Sequence, residues 1–185
     1  MDYKNYFLNY IDSISFLLKE INPDLISESV DLIKKIKNNN KIYIVGNGGS
    51  ASIASHVSVD FTKVAKIKSL TFNNANFITC FANDYGYENW VDKAIEYYAD
   101  KGDIGIFISS SGKSLNIING VKKAKSMELE TITLSGFDMN NPLSKLGGNN
   151  LWVDSKSYNY IEMTHHIWLL AIVDYIIKFP NIGNI

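Results

Sequence analysis

The sequence predicts an α/β protein, a three-layer αβα sandwich around a five-stranded parallel sheet, preceded by two helices. Three observations carry this. From residue 42 onward, short Ile/Val/Phe-rich runs alternate with helical stretches, the pattern of parallel strands joined by crossover helices. Those runs are apolar almost throughout, as strands are when both sheet faces are covered. Two of them end in turns rich in glycine or serine that lead straight into helices: Ile42-Tyr-Ile-Val-Gly-Asn-Gly-Gly-Ser50, and Ile104-Gly-Ile-Phe-Ile-Ser109 followed by Ser110-Ser-Gly-Lys-Ser114.

Taken in order, apolar residues recur at helical spacing over 3–18 and again over 23–36. Asn22-Pro23-Asp24 between them stops one helix and starts the next, because proline suits a first turn and asparagine caps it. The remainder reads as strand 42–45, helix 50–65, strand 77–81, helix 88–99, strand 104–108, helix 114–126, strand 130–134, a short helix at 142–146, strand 151–153 and a long helix 158–178. Residues 180–185 read as a short tail. With no repeat or linker, 1–185 is expected to form one domain, with 1–38 as the helical pair and 41–179 as the core.

Composition narrows the function classes. The chain has 18 basic against 19 acidic residues and no lysine block denser than Lys122-Lys123-Ala-Lys125, so direct nucleic-acid binding is not expected. The lone Cys80 excludes an internal disulfide and suits a reducing compartment. No apolar stretch is long enough to span a bilayer, and Met1-Asp-Tyr-Lys-Asn-Tyr6 lacks a basic region followed by an apolar run, so a cytoplasmic protein is expected.

The two turns point to a phosphorylated ligand. Gly46, Gly48 and Gly49 permit close backbone approach, and the helix read as opening at Ser50 directs unpaired N–H groups at whatever binds there. Ser109, Ser110, Ser111 and Ser114 add four hydroxyls at a second helix N-terminus. The spacing around Gly112-Lys113-Ser114 is not that of a nucleotide-binding P-loop, and no Gly-x-Gly-x-x-Gly is present, so a phosphomonoester is expected and a nucleotide cofactor is not. On the first helix, His56 and Asp60 stand four apart and share a face.

The ordered set Gly46-Asn-Gly-Gly-Ser50, His56, Asp60, Asn83-Asp84-Tyr-Gly-Tyr87, Ser109-Ser-Ser-Gly-x-Ser114 and Thr133-Leu-Ser-Gly136 resembles the sugar isomerase (SIS) fold, and within it the phosphoheptose isomerases. The resemblance implies that the phosphate sits on Ser109, Ser110, Ser111 and Ser114, and that Asn47, Gly48, Gly49, Ser50, Asn83 and Asp84 contact the sugar. It also implies a histidine and a glutamate on the first cradle helix, here His56 and Asp60, with Asp60 as base, and a zinc site that would draw on His56, Asp60 and Glu162. On the last helix the expected glutamine falls on Glu162, and the expected distal histidine falls on Leu170, or on Leu169 with a one-residue shift. His165, three residues after Glu162, is read as able to restore the pair as a catalytic residue, with His166 beside it.

The implied activity is isomerisation of sedoheptulose 7-phosphate to a heptose 7-phosphate, by a homotetramer. Two other readings stand beside it. One is a non-catalytic phosphosugar-binding or interaction protein of the replication-initiator-associating type, and the other is an isomerase for a different sugar phosphate.

Overall fold

The computed structural model describes residues 2–37 and 39–180, so most of the expected tail at 180–185 lies outside the described residues. Two helices, α1 (Tyr3–Lys19) and α2 (Pro23–Lys34), lead into β1 (Ile42–Gly46), α3 (Gly49–Lys63), β2 (Ser69–Thr71), α4 (Ala75–Tyr85), α5 (Trp90–Tyr98), β3 (Ile104–Ser109), α6 (Leu115–Ser126), β4 (Glu130–Ser135), β5 (Asn149–Trp152) and α7 (Tyr158–Lys178). The side chains of Asp2 and Asn22 cap α1 and α2 by accepting from the Lys4 and Asp24 amides, with Pro23 in the first turn of α2. All strands pair in parallel, in the order β2-β1-β3-β4-β5.

Alternate residues of β1 and β3 enter different cores, which is why these two strands are apolar almost throughout, whereas β4 sends Ile132 and Leu134 to one core and turns Thr131 and Thr133 the other way. Ile42 and Ile44 of β1, with Ile104, Ile106 and Ile108 of β3, pack under α1, α2, α3 and α7. Tyr43, Val45 and Phe107 face the other way, against Phe72, Trp90, Ile95, Ile117 and Val121. The chain thus makes the expected three layers.

One strand lies elsewhere than expected. Phe77-Ile-Thr-Cys-Phe81 is part of α4, and the edge strand is Ser69-Leu-Thr71, which pairs Ile42 with Ser69 and Ile44 with Thr71. A five-residue apolar run does not by itself separate a strand from a helix. Here the Asn74 side chain accepts from the Asn76 amide and starts a helix. Residues 142–146 form turns instead of the expected short helix, because Asn141 Oδ1 captures the Ser144 amide and the Leu143 amide donates to Gly112 O.

At the end of the sheet where strands begin, the carboxylate of the fully buried Asp103 joins β3 to the entry of β1. It accepts from Asn40 Nδ2, the Lys41 amide and the Asp100 amide at 2.9–3.0 Å, with Lys41 Nζ at 3.3 Å. Removing it leaves the partly buried Lys41 and Asp100 amides without their acceptor, while Asn40 Nδ2 keeps Lys101 O and Lys41 Nζ keeps Asp100. Asp103→Ala should therefore cost about 3 kcal/mol of stability by urea denaturation, and a loss below about 1 kcal/mol would show that the clamp is redundant.

Candidate active site

The strand order reverses between β1 and β3. From β1 the chain moves outward to β2, then returns to the other side, so α3 and α6 leave neighbouring strands toward opposite faces. A crevice opens between their N-termini, the place where such sheets bind ligands.

On the β1 side, Gly48 turns the chain with φ 57° and ψ −123°, a conformation that side-chain-bearing residues rarely adopt. It is Gly48, not Ser50, that stands at the N-cap of α3, and no side chain caps this helix. Ser50 is buried against Gly46, where an added Cβ would meet Ser50 Cβ at 2.6 Å. Asn47 reaches across the crevice to Asn116 on α6 in a reciprocal amide pair, each Nδ2 donating to the other's Oδ1 at 2.9 Å. Tyr87 OH donates to Asn47 Oδ1 at 3.2 Å.

On the β3 side the turn closes when the Gly112 amide donates to Ser109 O at 2.8 Å, with Gly112 at φ 65°. Ser109 Oγ donates to Ser114 Oγ at 3.0 Å, and the Lys113 amide donates to Ser111 Oγ at 3.3 Å. Ser114 is the extended N-cap residue of α6 and makes no side-chain capping bond. The loop rests on buried Asn141, which donates through Nδ2 to Ser135 Oγ and to Asp138 O, and whose Oδ1 fills the space a Cβ at Gly112 would need. Both helix starts are therefore without side-chain caps and face a hydroxyl-lined crevice, an arrangement suited to a phosphate.

Asn83 and Asp84 are placed differently from expectation. They lie on the exposed last turn of α4, where Asn83 Nδ2 donates to Asp84 Oδ1 at 2.9 Å, and not at a strand end. The group this segment brings to Asn47 is Tyr87, just beyond the turn at Gly86.

A second set of groups lines the seam between α3 and α7. The carboxylate of Glu162 sits against Gly49, where a Cβ would lie 2.1 Å from Oε2. Burial raises the Glu162 pKa above the ordinary carboxylate value. The neighbouring Ser110 hydroxyl opposes the shift, although Ser110 Oγ is buried and completes no aligned hydrogen bond. Further along the seam, His166 Nε2 and His56 Nδ1 are 2.9 Å apart, and His56 Nε2 faces Asp60 Oδ2 at 3.4 Å. Burial and the adjacent His56 lower the His166 pKa, and Asp60 opposes them.

His56, Asp60 and Glu162, the zinc set implied by resemblance, are not gathered at one point among the described residues. His56 commits Nδ1 to His166 and turns Nε2 to Asp60, while Glu162 stays with Gly49 and Ser110. Among the described residues no group of three or more His, Cys, Asp or Glu side chains is arranged to hold a metal ion.

Nor does His165 share the Glu162 cleft. It is fully buried, with Nε2 3.1 Å from Ser135 O, so that it donates to the end of β4 and braces α7 on the sheet. Three residues along a helix turn the side chain by about 300°, enough here to carry His165 to the sheet-facing side. Burial pushes its pKa down to about 4. The folded pKa lies below the ordinary value near 6.5, so the unfolded chain takes up the proton first and stability falls as pH drops through that window. Between pH 7 and pH 5 this residue should account for about 2 kcal/mol of lost stability. His165→Gln should flatten the urea-midpoint profile over that range, and an unchanged slope would refute the assignment.

Sequence comparison agrees with this geometry. A family model for the SIS domain matches residues 5–136. The phosphoheptose isomerase of Aliarcobacter butzleri is 34% identical over 86% of this chain and 87% of its own length. That of Helicobacter pylori strain 26695 is 32% identical over 92% of each chain. The solved phosphoheptose isomerase of Neisseria gonorrhoeae superposes with a TM-score of 0.86 over 96% of this chain and 100% of its own, at 24% identity. With its five-stranded parallel sheet, its paired cradles and these relatives, the chain belongs to the phosphoheptose isomerase family of SIS-domain isomerases.

Proposed function

We propose that the protein interconverts sedoheptulose 7-phosphate and D-glycero-D-manno-heptose 7-phosphate. The observation that carries this reading is the pair of helix N-termini without side-chain caps across the switch crevice, flanked by Ser109, Ser111 and Ser114, in a chain of this family. Phosphate bound there anchors one end of the sugar, and that remote binding energy orients the carbonyl end. In this reading Ser110, Gly48, Gly49 and Asn47 line the path between, and no part is assigned to Asn83 and Asp84, exposed on the last turn of α4.

The chemistry is a proton transfer between adjacent carbons. Asp60 removes a proton from C1 of the ketose, the electron pair forms the C1–C2 double bond, and O2 takes up the charge as an enediolate. The O1 hydroxyl proton then passes to O2, and returning the first proton to C2 as the O1 lone pair closes the C1 carbonyl gives the aldose. Amide donors such as Asn47 and Asn116 stabilise the oxygen on which charge develops. Glu162, raised in pKa beside the start of α3, exchanges a proton with a sugar hydroxyl more readily than an exposed carboxylate does.

Assembly is proposed as a homotetramer. Tyr3, Phe7 and Phe16 of α1 are 78%, 62% and 61% exposed, more apolar surface than one helix of a monomer ordinarily leaves in water. Ile172 and Val173 of α7, by contrast, are buried in the core and add nothing to that surface. No helix among the described residues is long and apolar enough to cross a membrane. A cytoplasmic enzyme supplying heptose for lipopolysaccharide or capsule is the setting that fits.

Two measurements test this reading. In D2O with sedoheptulose 7-phosphate, proton NMR should show aldose forming with deuterium at C2; Asp60→Asn should bind the sugar yet lose at least about 100-fold in exchange. No exchange by the native protein, or undiminished exchange by the variant, would contradict it. Light scattering at micromolar concentration should give four times the chain mass, and a monomer would rule the assembly out.

A further inference from the structure

The turn between α4 and α5 also reaches the crevice, and the proton transfer described above makes no use of it. That turn is built without help from the Tyr87 side chain. Gly86 closes α4 at φ 84°, its amide donating to Ala82 O at 3.0 Å, and Asn89 Nδ2 donates to Tyr85 O at 2.9 Å. From the other side Asn119 Nδ2 donates to Glu88 O at 3.0 Å, tying the turn to α6 about one helical turn beyond Asn116.

Tyr87 is 53% exposed, yet its hydroxyl reaches back to Asn47 Oδ1 at 3.2 Å. That oxygen already accepts from Asn116 Nδ2 at 2.9 Å, so a second, longer bond from an exposed side chain adds little stability. Its effect is to orient the phenol. An amide oxygen only accepts, so the phenol proton is committed to Asn47, and the lone pairs of Tyr87 Oη are left with no donor among the described residues. The neighbours of Asn47 place this acceptor along the ligand. Asn116 lies two residues beyond Ser114, toward the end proposed for the phosphate. Gly49 lies two residues beyond Asn47 and against Glu162, toward the end proposed for the carbonyl. The ligand carbons nearest Tyr87 are then those between the two ends. A phosphate dianion has no proton to offer a committed phenol, whereas a sugar hydroxyl has one.

We propose that Tyr87 is a specificity-determining residue of this site, its hydroxyl oxygen accepting a hydrogen bond from one hydroxyl of the sugar chain between phosphate and carbonyl. The inference rests on the isomerase reading above, which supplies the two ends of the ligand. The chain of bonds runs from the sugar O–H to Tyr87 Oη and from the Tyr87 O–H to Asn47 Oδ1, each strengthening the next. It selects a sugar phosphate that carries a hydroxyl at that carbon over one that lacks it. No bond to a reacting carbon changes there, so the contact is equally strong in the bound ketose and in the transition state. Its loss therefore raises KM and leaves kcat in place.

Tyr87→Phe keeps the ring and removes only the hydroxyl. Its KM for sedoheptulose 7-phosphate should rise about five- to tenfold, with kcat within about twofold of the native value. Two binding measurements separate reading of the sugar from mere support of Asn47. Inhibition by inorganic phosphate should change by less than about twofold, because phosphate makes no bond to the phenol. Among sedoheptulose 7-phosphates lacking one hydroxyl at C3, C4, C5 or C6, one should bind native protein and variant alike, having already lost the group that Tyr87 accepts. The others should weaken in the variant as the parent sugar does. An unchanged KM, or equal weakening of phosphate and of every deoxy sugar, would overturn the proposal. A native protein that converts the heptulose phosphate beside an indistinguishable variant removes the role of Tyr87 alone. If the native protein neither binds nor converts it, the isomerase reading falls first and this one with it.

Discussion

The reciprocal amide pair between Asn47 and Asn116 is the contact on which the architecture of this site turns. Parallel strands β1 and β3 lie side by side, yet the helices that follow them go to opposite layers. Beyond the last strand pair, Gly46 with Ile108, the two loops diverge toward those layers. Two hydrogen bonds of 2.9 Å hold them at a fixed separation, and Tyr87 OH adds a second donor to Asn47 Oδ1. Because polar groups in a crevice gain little net energy from such pairing, its main effect is geometric. The helix starts are held ready for a ligand before one arrives, so less of the binding energy goes into ordering them.

Around this centre the loops are stiffened from below by groups that take no part in chemistry. Asn73 completes the ladder beyond β2 by donating to Gly46 O and accepting from the Gly46 amide. Asn141 supports the turn at Gly112 from beneath, and buried His165 ties α7 to the last residue of β4. The seam between α3 and α7 then carries its reactive groups in sequence: Glu162 at the start of α3, followed by His166, His56 and Asp60. Positioning is thus divided, with the sheet ends presenting the cradles proposed for the anion and the helix seam holding the titratable groups.

Much of this was legible in the sequence because it depends on local pattern. Strands apolar almost throughout announced a sheet covered on both faces, and the glycine and serine turns announced the cradles. Four of the five strands and most helices fall where periodicity puts them. What escaped reading depends on contacts between distant residues or on competing local preferences. Phe77-Ile-Thr-Cys-Phe81 has strand-like composition, but the Asn74 cap decides for a helix and puts Asn83 and Asp84 on its last turn. Asn116 and Asn141 carry no motif; their roles arise from partners on other segments. Between His165 and His166, adjacent in sequence, only the roll of α7 determines which faces the core and which faces α3.

The central claim is that the switch crevice fixes a sugar phosphate so that its carbonyl end reaches the α3–α7 seam. A crystal structure with bound sedoheptulose 7-phosphate tests it directly. The account predicts phosphate oxygens on the Ser109–Ser114 turn and the N-terminus of α6, with C1 and C2 within reach of Asp60. A phosphate bound elsewhere, or a sugar whose carbonyl end points away from that seam, would contradict it.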